Sequence, residues 1–232
     1  MALQLFVEPH WVSPYVFSCF VTLREKNLEF EAIALDSSAG ETQRSEYMIQ
    51  CVTGRVPSIL DDGFGLAESS AIIEYLEIEH PDPPVLPSAS KDLARCRQIM
   101  SWIRSDETAA LREERSTHSM FYRRADAPLS AAAERSAKKL CDVAGRVIRP
   151  GEATIFDRWT ILDAELAFIL HRLILNGDPV PRGIAKWAAA QWERPTVKAF
   201  VELARPALPA SFKPTGLVIS PPSSPPSPPS AK

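Results

Sequence analysis

Cysteine is sparse in this chain, and none of it is grouped. Four cysteines, Cys19, Cys51, Cys96 and Cys141, are scattered over 232 residues. There is no CxxC pair and no Cys/His cluster, so neither a zinc site nor a disulfide scaffold is expected, and a reducing compartment suits the thiols best. Long apolar runs are missing as well: no stretch reaches the ~18 residues that a membrane-spanning helix needs. The start of the chain lacks a secretory pattern. Its first basic residue is Arg24, and Glu8, Pro9, His10 and Pro14 break up the apolar opening. A cytoplasmic protein without a membrane span is the expectation. Basic surplus is also absent: 29 acidic side chains face 26 Lys and Arg, a net charge of −3. With no basic stripe interleaved with aromatics, nucleic acid is not an expected partner.

What is present is an ordinary globular mix, 45% hydrophobic and 24% charged. The charge is unevenly spread. Residues 1–83 carry 14 acidic and 4 basic side chains; residues 84–204 carry 15 acidic and 19 basic. A boundary near residue 83 coincides with the segment PDPPVLPSAS at 81–90, whose prolines and small polar residues read as a linker. Opposite charge on the two halves can help them dock. The expected organisation is a first domain over 1–83, a linker over 84–90, a second domain over 91–212 and a tail over 213–232. The tail, TGLVISPPSSPPSPPSAK after Pro214, has too little apolar surface to offset its ordering entropy.

In the first domain the pattern switches between periods of two and 3.6. Leu3, Leu5 and Val7 alternate as a strand does. Residues 14–26 read as a helix, and Phe30 to Ala34 as a second strand. After a helical stretch without clear bounds, Ser58 to Asp61 and Phe64 to Leu66 flank Asp62-Gly63, a hairpin signal. Ser69 to Glu79 then reads as a helix with a stripe at Ile72, Ile73 and Leu76. Beyond the linker every strong signal is helical. Cys96, Ile99, Met100 and Ile103 keep helical spacing, 130–148 is an alanine-rich helix, and 161–175 is apolar all round, as a buried central helix is. Thr160 and Asp163 form a capping box before it, and Thr154 with Asp157 has the same spacing. Pro181 can open the next helix and Pro195 the last.

Four features of the first domain bear on chemistry, each with a plain structural reading beside it. Ser13-Pro14 is a common helix start, with serine as the cap and proline at the first helical position, and its hydroxyl sits where the helix dipole favours negative charge. Val56-Pro57 precedes the third strand, and most X–Pro bonds are trans. Arg55 alone is a surface charge. Glu68-Ser69 opens a helix, which is both a cap and a ready anion site.

Taken together these residues resemble the glutathione transferase superfamily, over residues 1 to about 204. The carriers are Ser13-Pro14-Tyr15 after strand one, Gly54-Arg55-Val56-Pro57 before strand three, and Glu68-Ser69-Ser70-Ala71-Ile72-Ile73-Glu74-Tyr75-Leu76 opening helix three. Thr160-Ile161-Leu162-Asp163-Ala164 and Trp192-Glu193-Arg194-Pro195 add to them. The sequence looks most like a bacterial, serine-type branch.

The resemblance implies an α/β thioredoxin-like N-terminal domain followed by an all-helical C-terminal domain. It implies glutathione as co-substrate and no metal. Pro57 would be cis, so that the backbone of Val56 pairs with the cysteinyl part of glutathione. Glu68 would face the γ-glutamyl ammonium and Ser69 its carboxylate, with Arg55 near the tripeptide's carboxylates. Ser13 would stabilise the thiolate as catalytic residue. Because position 13 is not cysteine, no mixed disulfide can form there. Tyr15 competes as donor, Ser18 less so, and Cys19 reads as core. The acceptor side implicates His10 and Trp11, facing Met120, Phe121 and Tyr122. Asp106, read as interrupting the apolar register of the fourth helix, is a candidate for reaching the glutathione of a partner subunit in a homodimer. The implied reaction is conjugation of glutathione to a hydrophobic electrophile. The alternatives are reduction of an organic hydroperoxide, or a non-catalytic binding protein that keeps the fold.

Overall fold

The computed structural model describes residues 3–208. The proline-serine tail expected from 213, and the end of the second expected domain, lie outside the described residues. The order of elements is β1 (Leu3–Val7), α1 (Pro14–Glu25), β2 (Phe30–Ala34), α2 (Ser45–Gln50), β3 (Ser58–Asp61), β4 (Phe64–Ala67) and α3 (Ser69–Glu79). Helices follow: α4 (Ser90–Trp102), α5 (Ala109–Glu114), α6 (Thr117–Phe121), α7 (Ala131–Val147), α8 (Ile161–Ile174), α9 (Arg182–Trp192) and α10 (Pro195–Val201).

The four strands form one sheet in the order β2-β1-β3-β4. β2 runs parallel to β1, with Leu5 opposite Ala32, and the other two pairings are antiparallel. A parallel neighbour requires a crossover, and α1 supplies it. The alternation of β1 decides which face each layer covers. Leu3, Leu5 and Val7 join the large core with α1 and α3, while Phe6 points the other way into a small core with Tyr47, Cys51 and Ala67.

α8 is the axis of the helical half. Every residue from Ile161 to Leu173 is buried, as the apolar pattern predicts. The capping residue in front of it is Thr160: the Asp163 carboxylate accepts from the Thr160 N–H at 2.8 Å, the Thr160 hydroxyl at 3.0 Å and the Ile155 N–H at 2.8 Å. Thr154 instead donates to the Phe156 carbonyl and opens no helix.

Aromatic rings seal the two halves together. Phe17 of α1 lies 4.5 Å from Phe168 of α8 and 5.2 Å from Phe200 of α10. Around them, acids of the first half meet bases of the second. Glu25 accepts two 2.6 Å bonds from Arg194, and Glu74 is forked by Arg97. The buried Lys26 amine donates to the carbonyls of His80 and Pro83 and pairs with Glu77, which pins the start of the linker.

α4 ends sooner than its apolar spacing suggests. After Trp102 the chain tightens, with the Arg104 N–H donating to the Ser101 carbonyl and the Arg104 side chain turning back to Met100. Asp106 therefore stands beyond α4, exposed, at the start of a 3-10 turn over Asp106–Thr108, and not within the helix. Among the described residues no helix is long and apolar enough to cross a membrane.

Candidate functional site

The turn between β1 and α1 is built around one carboxylate. Glu8 accepts from the backbone N–H groups of His10 at 2.7 Å, Val12 at 2.6 Å and Ser13 at 2.9 Å. Trp11, between them, takes the left-handed conformation at φ 52°. This ring of bonds delivers Ser13 to the cap of α1, where its Oγ accepts from Tyr15 N–H and Val16 N–H, each at 3.3 Å. Pro14 follows at the first helical position. The cap uses the lone pairs of the hydroxyl and leaves its proton available to a partner. Glu8 belongs to none of the motifs that mark the site in the sequence. The one local signal for it is an acid placed five residues before a Ser-Pro helix start.

Of the neighbouring groups, Ser18 and Cys19 are engaged or buried, whereas the Tyr15 hydroxyl, like that of Ser13, accepts and keeps its own proton. Ser18 donates to the Pro14 carbonyl within the helix. The Tyr15 hydroxyl accepts from Arg112 of α5 at 3.4 Å. Cys19 is fully buried, and burial pushes its thiol far up in pKa.

The loop before β3 is held from beneath. The Tyr47 hydroxyl donates to the Arg55 carbonyl at 2.7 Å and meets the Ser58 hydroxyl at 2.8 Å, and the Cys51 thiol donates to the same carbonyl at 3.4 Å. Gly54 has φ 61°, and a Cβ there would lie 2.7 Å from Met48 Sδ and 3.2 Å from the Thr42 carbonyl, so only glycine fits without a shift. Val56-Pro57 is cis, as the resemblance implies and against the general preference for trans. Asp82-Pro83 is cis too, which no sequence signal marks. Arg55 is exposed and Val56 half-buried.

At the start of α3, Glu68 has φ 72°. A non-glycine residue held in that region costs on the order of 1–3 kcal/mol. Among the described residues no side chain caps this helix, which leaves its first N–H groups and the positive end of its dipole uncapped beside the buried Ser69. Ser13, the Arg55-Val56 loop and Glu68-Ser69 thus stand at neighbouring ends of β1, β3 and β4.

The expected acceptor residues divide. His10 and Tyr122 face each other with ring centroids 6.4 Å apart. Trp11 packs edge-on against Phe20 and Phe200, and Phe121 lies under the Arg205 guanidinium at 3.8 Å. Met120 packs against the core.

A sheet with a serine-capped first helix and an uncapped third, joined to a bundle around a buried central helix, defines a thioredoxin-like unit fused to an all-helical one. Family models agree with that class: "Glutathione S-transferase, N-terminal domain" matches residues 3–77, and "Glutathione S-transferase, C-terminal domain" matches 90–206. The chain belongs to the glutathione S-transferase family. A glutathione transferase homologue from Burkholderia, solved with bound glutathione, is 35% identical; it superposes with a TM-score of 0.71 over 87% of this chain and 97% of that one. A stringent starvation protein A homologue of Coxiella burnetii is 32% identical over 62% of this chain and 67% of its own length. The maleylacetoacetate isomerase of Dictyostelium discoideum is 34% identical over 42% of this chain, a match that spans 45% of the relative.

Proposed function

We propose that the protein is a serine-type glutathione transferase. It binds reduced glutathione, holds the sulfur as thiolate against Ser13, and transfers it to a small electrophile. The observation that carries this reading is the state of the Ser13 hydroxyl: two backbone N–H groups donate to its oxygen, and its own proton has no acceptor among the described residues. An anion at that position gains one O–H bond and the positive end of α1. An unperturbed thiol ionises near pKa 8.5, and a tenfold gain in its ionisation takes about 1.4 kcal/mol. One charge-assisted bond and a partial dipole suffice for a gain of about ten- to a hundredfold.

The remaining site residues divide the tripeptide between them. The Val56 backbone pairs with the cysteinyl unit, the Ser69 hydroxyl and the open N–H groups of α3 take the γ-glutamyl carboxylate, and Glu68 faces its ammonium. Arg55 lies toward the carboxylates. The glutathione bound by the Burkholderia homologue supports the choice of ligand. In the transfer step the sulfur lone pair forms a bond to the electrophilic carbon; with an aryl chloride, chloride leaves with the carbon–chlorine electrons. The four cysteines are free thiols, in keeping with a cytoplasmic setting. The working form is a homodimer, in which Asp106, exposed, reaches toward the partner.

The test is a pH titration of thiolate absorbance in the glutathione complex, paired with turnover of an aryl chloride and of an organic hydroperoxide. Wild type is expected to ionise the bound thiol about one to two pH units below free glutathione. Ser13→Ala is expected to lose that difference and at least tenfold in kcat, with glutathione still bound. Unchanged titration and turnover in Ser13→Ala move the role to Tyr15 or elsewhere. Sedimentation of a monomer at micromolar concentration removes the dimer and the Asp106 contact.

A further inference from the structure

Between α1, the end of α4, α5 and α8 lies a cavity of about 40 Å³. Its polar lining includes Tyr15, Ser18, Arg104, Arg112, Glu165 and Arg172. Three guanidinium groups therefore share one wall with a single carboxylate. A water-sized occupant needs roughly 10–15 Å³, so the space holds about one carboxylate group.

The arginines near this wall differ in how their charge is met. Arg104 is forked onto Glu165 at 2.7 and 2.5 Å. Arg115, just outside, is forked onto Asp178 at 2.6 and 2.8 Å. Both meet a carboxylate in bidentate fashion, although Arg104 Nε, like that of Arg112, finds no acceptor among the described residues. Arg112 and Arg172 have only neutral acceptors. Arg112 donates to the Tyr15 hydroxyl and to the carbonyls of Arg104 and Ser105, and its buried Nε finds no acceptor among the described residues. Arg172 donates through Nη1 to the carbonyls of Arg115 at 2.7 Å and Arg112 at 3.3 Å. It is 4% exposed. Burial, with Arg112 beside it, pulls its guanidinium down to about 10.

A buried cation without a counter-ion is unfavourable by several kcal/mol unless something compensates it. A fold that only needed to fill this space has apolar side chains that do so without that penalty. The neighbouring wall already supplies Phe168 and Ile169. The same cavity is lined by Pro14 and Tyr15, the residues that follow Ser13 on the first turn of α1.

We infer that this cavity is a carboxylate anchor, built by Arg112 and Arg172, for the electrophile that meets the sulfur at Ser13. The substrate class is then an anionic electrophile, carrying a carboxylate, and not a purely apolar one. Its position relative to the reaction rests on the transferase reading above; the anion selectivity of the cavity does not.

Two matched pairs of probes separate these parts. For binding, 3,5-dinitrobenzoate and 3,5-dinitrobenzamide, which carry no leaving group, are titrated into the protein by calorimetry. For turnover, 4-chloro-3,5-dinitrobenzoate and its primary amide are compared with glutathione saturating. Wild type is expected to bind and turn over the carboxylate at least tenfold better than the amide. Arg112→Gln is expected to collapse both ratios to within threefold of unity, and Arg112→Lys, which keeps the charge, to preserve most of each. Arg172→Met repeats the loss if it folds; Arg112, being only half-buried, keeps the test secure if it does not. Equal affinity for benzoate and benzamide, with the amide turned over, overturns the anchor and leaves the transferase standing. Selective binding of benzoate, lost in Arg112→Gln, with neither chloride turned over, keeps the anchor and removes the transferase.

Discussion

Ser13 is tied to Glu8 across the first turn of the site: its backbone N–H donates to Glu8 Oε1 at 2.9 Å, while its side-chain oxygen caps α1. One carboxylate thus sets the position of the hydroxyl that the proposed chemistry uses. It also brings a carboxylate near the place where the proposed thiolate would sit.

Those two effects make Glu8 a divided residue. Glu8→Ala frees three N–H groups at once and is expected to lower stability by about 3 kcal/mol, with a matching loss of kcat as Ser13 moves. Glu8→Gln keeps an acceptor oxygen and removes the charge. It is expected to lose less stability and to lower the pKa of the bound thiol further. Urea unfolding and the pH profile of kcat distinguish the two variants.

Gly54→Ala places a Cβ at φ 61° and against Met48 Sδ. A left-handed non-glycine residue costs roughly 1–2 kcal/mol, and the loop that carries Arg55 and Val56 must shift to relieve the contact. KM for glutathione is expected to rise severalfold with kcat nearly kept, because the disturbed residues are the ones proposed to bind the tripeptide and Ser13 does not move. A fall in kcat at unchanged KM would contradict this placement.

His171 is buried in α8, stacked on Trp192 at 3.8 Å, with its Nδ1 on the Ala167 carbonyl at 2.8 Å. Burial pulls its pKa from 6.5 to about 4. The unfolded chain therefore binds the proton first, and its contribution to stability is present above pH 6.5 and lost progressively as pH falls toward 4. Between pH 7 and pH 5 that loss amounts to about 2 kcal/mol. His171→Gln is expected to flatten the stability curve across this window, measured by urea unfolding at the two pH values.

Arg194 joins the halves. It is forked onto Glu25 and stacked on Trp159 at 4.0 Å, and Thr196 donates to the same carboxylate. Arg194→Ala is expected to destabilise by about 1–3 kcal/mol. A double-mutant cycle with Glu25→Gln is expected to return a coupling energy of similar size. Additive losses would show that the stack on Trp159, and not the ion pair, holds the junction.

Much of this protein is written locally. The alternation of Leu3, Leu5 and Val7, the stripe of α3, the all-apolar α8 and the caps at Ser13 and Thr160 depend on neighbours within four residues, and local pattern reveals them. The residues of the candidate site, Ser13, Gly54 to Pro57 and Glu68-Ser69, each open or close one element, but singly they read as caps and turns, and only the resemblance of the whole pattern to a family marks them as a site. The premature end of α4, the cis bond at Asp82-Pro83 and the bracing of Arg55 by Tyr47 were not legible, since each depends on what packs beside it. The arginine cavity is the clearest case. Tyr15, Arg104, Arg112, Glu165 and Arg172 come from separate stretches of the chain, and no spacing connects them. Whether a buried arginine finds a carboxylate or a carbonyl is decided only when those helices close over one another, because the energy of a charge depends on what surrounds it in space.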